Sequence, residues 1–269
     1  MQKYSTDAPR VSVLIGCWNN APTLSRAIES ILSQTVHQLE LLVIDDGSTD
    51  QSPDVVRAVS DPRLRYLPLE HTGIARSLNR GLDEAAAPVV AIQDADDWSM
   101  PTRLERELAV LDAWPAVAVV GCRMREVGPD VEELRPRTAF ASGNVNQALM
   151  RFNPIPNSCV AFRREAALEV GGYDPRYSYA MDHDLWLRVA EHHDVFALDE
   201  VLAVRSMGGS NVAARRERDQ LRETLQIRAA ALRRRRTVAG ASGLVLPAIS
   251  YLAPLPLKRA LRRRLGQPP

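Results

Sequence analysis

Within its first 113 residues the chain alternates short apolar runs with stretches of helical periodicity, and two of the runs end in clusters of aspartate. Val11 to Ile15, Leu39 to Ile44, Leu64 to Leu67 and Pro88 to Ile92 have strand length and no polar interruption except Ser12, Glu40, Arg65 and Tyr66. Such runs suit strands buried on both faces. Between them, Ala21 to Gln34 repeats Leu24, Ala27, Ile28, Ile31 and Leu32 on one helical face. Ile74 to Ala86 does the same with Ala75, Leu78 and Leu82, and Pro101 to Ala113 carries a proline near its first turn. Strand and helix in alternation predict a mostly parallel sheet with helices on both faces.

The second half is less regular. Val117 to Val120, Val160 to Phe162 and Val201 to Val204 read as strands, Met181 to His192 as a helix, and Ala213 to Arg236 as a long charged helix. Met124 to Phe140 is polar and proline-containing and reads as a loop or excursion. The expected organisation is a catalytic domain over residues 1–212 followed by a helical, basic extension over 213–269. Within the domain, a nucleotide-binding half ends near residue 115 and an acceptor-side half covers 116–212.

Charge is uneven. Ten of the 34 Lys/Arg and none of the 33 Asp/Glu lie from Arg228 onward, so the first 227 residues are acidic and the tail is basic. An acidic body without an aromatic-basic platform argues against nucleic acid as a partner. The tail suits an anionic membrane surface: the apolar stretch Thr237 to Leu257 lies between Arg233–Arg236 and Lys258–Arg264. Pro247, Pro254 and Pro256 argue against a spanning helix there. Cys17, Cys122 and Cys159 form no CxxC or Cys/His pattern, so neither a disulfide framework nor a zinc site is expected. With no apolar run among the first ten residues, the expected setting is cytoplasmic, peripheral to the inner face of a membrane.

The chemistry-bearing residues sit where apolar runs end. In an open α/β sheet, ligands bind beyond the carboxyl ends of the strands. Asp45-Asp46 follows one run and Asp94-Ala-Asp-Asp97 another, so both clusters can face one crevice. Crowded carboxylates repel one another unless a cation balances them, and a hard divalent ion with oxygen ligands, Mn²⁺ or Mg²⁺, is the natural partner. Turn and helix capping is the alternative role for these aspartates.

The ordered set of motifs then resembles one family. Val11-Ser-Val-Leu-Ile-Gly-Cys-Trp-Asn19, Ser30-Ile-Leu-Ser-Gln-Thr35 and Glu40-Leu-Leu-Val-Ile-Asp-Asp-Gly-Ser-Thr-Asp50 are similar to the opening of family 2 glycosyltransferases. Gly73-Ile-Ala-Arg-Ser-Leu-Asn79, Asp94-Ala-Asp-Asp97 with Pro101 and Arg103-Leu104, Gly171-Gly-Tyr-Asp174 and Asp182-His-Asp-Leu-Trp-Leu-Arg188 continue the pattern. The resemblance implies a GT-A fold and transfer of a sugar, with inversion, from a nucleotide diphosphate donor to a saccharide or lipid-linked hydroxyl acceptor. A UDP-sugar is the first expectation and a dTDP-sugar the next.

By the same resemblance, Trp18, Asn19 and Asp46 hold the nucleoside, Asp46 accepting the N3–H of the base and Trp18 stacking on it. Asp94 and Asp96 form the DxD element, Asp96 on the metal and Asp94 on sugar or ribose hydroxyls. Asp182 is the general base, with capping of its helix as the alternative; Asp184 and Arg188 support that helix. Two positions depart from the family: Met181 stands where Glu is frequent, and Met207-Gly-Gly-Ser210 stands where His is frequent. His183, His192 and His193 have no ligand spacing and are expected at the surface. A nucleotidyltransferase and a non-catalytic nucleotide-sugar-binding module are the competing readings. Against the first stands Cys17-Trp-Asn-Asn20, where a Gly-rich phosphate loop is expected. Acceptor contacts are expected from Met124 to Asn157, where specificity is not readable.

Overall fold

The apolar runs form strands that bury both faces. In a computed structural model, which describes residues 8–128, 131–134, 142–206 and 212–235, β1 (Val11–Cys17) and β2 (Leu39–Asp45) are buried at every position but Gly16. They alternate with α1 (Ala21–Leu32), α2 (Ser52–Arg57), β3 (Leu64–Pro68), α3 (Ile74–Glu84) and β4 (Val89–Asp94). The chain continues through β5 (Trp98–Ser99), α4 (Arg103–Ala113), β6 (Val117–Gly128), β7 (Val131–Leu134) and β8 (Gly143–Asn144). It then forms β9 (Val160–Arg163), α5 (Arg164–Glu169), α6 (Met181–Val189), β10 (Asp194–Ser206) and α7 (Val212–Arg235).

The strands make one sheet in the order β3-β2-β1-β4-β9-β6-β10-β5, with β7 beside β6 and β8 beside β10. β3, β2, β1 and β4 are parallel. β9 runs antiparallel to both β4 and β6, and β6 and β10 are parallel again. Alternate strand residues divide the core in two. Leu14, Leu42 and Ile44 belong to the cluster that takes in α3, α6 and α7, whereas Val13, Ile15 and Val43 belong to the one that takes in α1 and α4. Gly81 is where α3 comes closest to the sheet, since a Cβ there would strike Ile44 and Leu14.

Several boundaries differ from the sequence reading, and the last strand, expected over Val201 to Val204, runs as β10 from Asp194 to Ser206. Met124 to Gly128 is strand: it extends β6 alongside the second half of β10. Only Met124 is buried in that stretch, so no apolar run advertises it. Pro101 lies before Thr102, the N-cap of α4, not inside the helix. α6 stops at Val189, with His192 beyond it. The loop Met207 to Ser210 and the tail from Arg236 onward lie outside the described residues.

Candidate active site

Register delivers the site. Cys17 pairs with Asp45 and Gly16 with Asp94, so the residues that follow β1, β2 and β4 emerge side by side at one edge of the sheet.

Trp18 leaves β1 half exposed, at 51 %, and stacks on the His71 ring with centroids 4.7 Å apart and planes 25° from parallel. Asn19 is the one non-glycine residue with positive φ (56°) among the described residues. Its side chain faces the β2–α2 loop, where Oδ1 accepts Thr49 N–H at 2.8 Å and Asp50 N–H at 3.2 Å. Asp45 and Asp46 divide their work. Asp45 accepts Ser48 N–H at 2.9 Å and the Tyr66 hydroxyl at 2.6 Å, closing the turn. Asp46 is buried and holds the loop into α3: Oδ1 accepts Thr72 N–H at 2.9 Å and Ser77 Oγ at 2.8 Å, and Oδ2 accepts Gly73 N–H at 2.9 Å. The half-exposed His71 places Nδ1 2.9 Å from the same Oδ2.

After β4, Asp94, Asp96 and Asp97 each bring a carboxylate oxygen within 4.8 Å of the others. Asp96 is exposed and Asp97 buried, with Asp97 Oδ1 accepting Ser206 N–H from β10 at 3.1 Å. Burial, and then the charge of Asp96, raises Asp94 above the ordinary carboxylate range, with Arg205 opposing. Burial, and then Asp94 and Asp96, raises Asp97. Three carboxylates this close together, two of them partly or wholly buried, are a donor set suited to a hard cation. A buried network fixes them from beneath. Arg103, fully buried, donates to Gln93 Oε1 at 3.2 Å, Ser158 O at 2.9 Å and Ile92 O at 3.1 Å, while Ser158 Oγ accepts Asp94 N–H at 3.0 Å.

Asp182 enters from the other half of the sheet, on the first turn of α6. The N-cap is Ala180, so Asp182 does not cap this helix. Its Oδ1 accepts His183 N–H at 2.7 Å and its Oδ2 accepts Asn153 Nδ2–H at 2.8 Å. Burial pushes its pKa up to about 6, the Asp94 charge adds to the rise, and the bonds from His183 and Asn153 hold it down. Asp94 and Asp182 therefore share one electrostatic environment. Tyr173 lies in the field of both: it is fully buried, its hydroxyl donates to Asn157 Oδ1 at 3.1 Å, and Asn157 Nδ2–H reaches Asp94 Oδ1 at 3.3 Å. Burial and the charges of Asp182 and Asp94 raise the Tyr173 phenol, keeping it a neutral donor.

Asp184 and Arg188 hold α6 in place. Arg188 bonds Asp184 at 2.8 Å and donates to the carbonyls of Val170 at 2.6 Å and Gly172 at 2.7 Å. Asn79 takes both backbone groups of Tyr173 at 2.8 Å, and Gly172, at φ +67°, has no room for a Cβ against Asn79. His183 corrects the surface expectation. It is 2 % exposed, and its Nε2 lies 2.7 Å from Leu149 O, an acceptor, so that nitrogen carries the hydrogen. Burial depresses its pKa to about 4 and keeps it neutral.

Asn153, Asn157, Ser158 and His71 escaped the sequence reading, and Asp97 stood in the acidic cluster without being singled out as a ligand. The Asn153-Pro-Ile-Pro-Asn-Ser158 run, polar residues fixed between prolines, was the available signal for three of them.

Solved glycosyltransferases share this architecture. S. aureus TarS 1–349 superposes with a TM-score of 0.69 at 15% identity, covering 90% of this chain and 72% of that one. The mannosyltransferase PcManGT from Pyrobaculum calidifontis, in complex with GDP-Man and Mn²⁺, gives 0.66 at 23% identity over 97% of this chain and 81% of its own. The fold is thus GT-A, with a mixed sheet in which β3, β2, β1 and β4 are parallel. The sequence profile of Glycosyl transferase family 2 matches residues 12–171, and the chain belongs to that family. It is a glycosyltransferase, and the nucleotidyltransferase and non-catalytic readings fall. Among relatives, the amylovoran biosynthesis glycosyltransferase AmsE of Erwinia amylovora is 28% identical over 225 residues, 80% of this chain and 83% of its own.

Proposed function

We propose that the enzyme transfers a sugar from a nucleoside diphosphate donor, a UDP-sugar first and a dTDP-sugar next, to a saccharide or lipid-linked hydroxyl, inverting the anomeric carbon. The observation that carries this reading is the nearness of a buried Asp182 to the Asp94–Asp97 cluster, close enough for the Asp94 charge to act on it. A carboxylate with a pKa near 6 is ionised at neutral pH yet basic enough to accept a proton in the transition state. Asp182 takes the acceptor's hydroxyl proton. The acceptor oxygen bonds the anomeric carbon as the bond to the diphosphate oxygen breaks on the opposite face, which inverts the centre.

Asp96 and Asp94, with Asp97 as a third donor, are the residues to hold Mn²⁺ or Mg²⁺. When bound, the ion neutralises charge on the departing diphosphate. The exposed face of Trp18 takes the base. Asp46 Oδ2 receives the base N3–H in the place His71 Nδ1 holds, and Asn19 shapes the strand end beneath. AmsE is named for amylovoran biosynthesis, which supports a role in polysaccharide or glycoconjugate assembly. No described helix is long and apolar enough to cross a membrane. The basic tail docks the enzyme peripherally on the cytoplasmic leaflet, beside a lipid-linked acceptor, and the catalytic unit, expected to end at residue 212, takes in α7 as well, whose Ile227 and Ala231 are buried in its core. Removing divalent ions with a chelator is expected to abolish sugar-nucleotide turnover and Mn²⁺ or Mg²⁺ to restore it, with Asp96→Asn folded and inactive; full turnover without metal would end this reading.

A further inference from the structure

The helix that carries Asp182 is held at its start by a residue far along the chain. α6 has no capping side chain of its own: Ala180 is the N-cap, preceded by Ser178 and Tyr179. Their backbone N–H groups converge on the Glu223 carboxylate of α7. Ser178 N–H donates to Oε1 at 2.9 Å, and Tyr179 and Ala180 N–H donate to Oε2 at 2.8 and 3.0 Å. Three successive amides on one anion form a concavity that orients a turn, and the negative charge suits the positive end of a helix.

Glu223 is itself anchored. Ile227 and Ala231 follow it at four-residue intervals, on the same side of α7, and both are fully buried in the cluster that contains Leu185 and Trp186. At the far end, Arg234 bonds Glu191, just beyond α6, at 2.7 Å. From Glu223 to Arg234 is eleven residues, as is the step from Ala180 to Glu191. The two helices therefore run alongside each other in matched register, with α7 gripping both ends of α6.

Resting on the reading of Asp182 as the base, we infer that Glu223 is a positioning residue for catalysis: by gathering the Ser178–Ala180 turn it sets where Asp182 stands relative to the acceptor hydroxyl. Glu223 touches no reacting atom. Its effect is geometric, and displacing a catalytic group by about 1 Å is enough to cost on the order of 100-fold in rate. The donor side, at Trp18, Asp46 and Asp96, belongs to other elements, so donor affinity is independent of Glu223.

The test uses the full chain with the sugar nucleotide that it turns over fastest in a panel of UDP-, dTDP- and GDP-sugars, water serving as acceptor. Glu223→Ala is expected to speed hydrogen exchange at the Tyr179 and Ala180 amides and to lower kcat by roughly tenfold or more while donor KM stays within about twofold. Glu223→Gln keeps one acceptor oxygen and falls between, and it carries the test if the alanine variant does not fold. In an Asp182→Asn background, Glu223→Ala is expected to cost nothing further, because the residue acts through the lost base. A merely structural role would lower both backgrounds alike. Unchanged exchange, unchanged kcat, or a loss that adds in full to that of Asp182→Asn overturns the inference. Full turnover by Asp182→Asn alone overturns the base assignment as well, whereas an inactive Asp182→Asn beside a fully active Glu223→Ala overturns only the role of Glu223.

Discussion

Replacing Asn153 with alanine is expected to move the acid limb of the pH–rate profile upward. Asn153 donates to Asp182 Oδ2 at 2.8 Å, and that bond favours the ionised carboxylate against the burial that raises its pKa to about 6. A hydrogen bond to a charged group contributes about 1.5–3 kcal/mol, and one pKa unit is about 1.4 kcal/mol, so its loss shifts Asp182 upward by roughly 1–2 units. The sign follows from the role: a base works deprotonated, so raising its pKa removes active enzyme at a given pH. At pH 7 the ionised fraction falls from about 90% to about 10–50%, a two- to tenfold loss in kcat/KM that disappears above about pH 9. The assay is kcat/KM against pH at saturating Mn²⁺, wild type beside Asn153→Ala. Superimposable acid limbs would refute the reasoning. A uniform loss at every pH would show that Asn153 sets geometry, not basicity.

Two further outcomes are expected. Trp18→Ala weakens nucleotide binding by roughly 10–100-fold, the range for losing an aromatic stacking partner, and free UDP and dTDP inhibit the wild type more tightly than GDP; since PcManGT holds GDP-Man, tighter inhibition by GDP is the contradicting result. The full chain co-sediments with anionic vesicles at low salt and releases as salt rises, each basic residue near the surface contributing about 1 kcal/mol, whereas a chain ending at Arg235, which keeps Ile227 and Ala231 in the core, stays in solution; equal behaviour of the two removes the membrane role.

The first half of the chain was legible because burial on both faces writes itself into sequence. Val11 to Ile15 and Leu39 to Ile44 are buried throughout and carry one polar residue each, Ser12 and Glu40, bonded to each other, and each run ends where chemistry begins. The second half hides the same information. Met124 to Gly128 pairs with β10 but is half exposed, so its strand lacks an apolar signature. Asn153 and Asn157 act through single amide bonds to Asp182 and Asp94, which no periodicity reveals. His183 misled for the opposite reason: a histidine beside a site residue gives no sign of whether a carbonyl such as that of Leu149 waits to satisfy it in the core. Glu223 is one charge among many on α7, and only the path of the chain brings it to the start of α6.

The anomeric configuration of the first-formed product tests the central claim most directly. On the proposal that Asp182 stands opposite the departing diphosphate, one displacement occurs and the configuration inverts. Proton NMR of the product, recorded before any free sugar mutarotates, is expected to show the anomer opposite to the donor's. Asp182→Asn is expected to bind donor nucleotide nearly as well as wild type while losing about 10²–10⁴-fold in turnover, the usual range for removing a general base. A product that retains the donor's configuration would contradict the account.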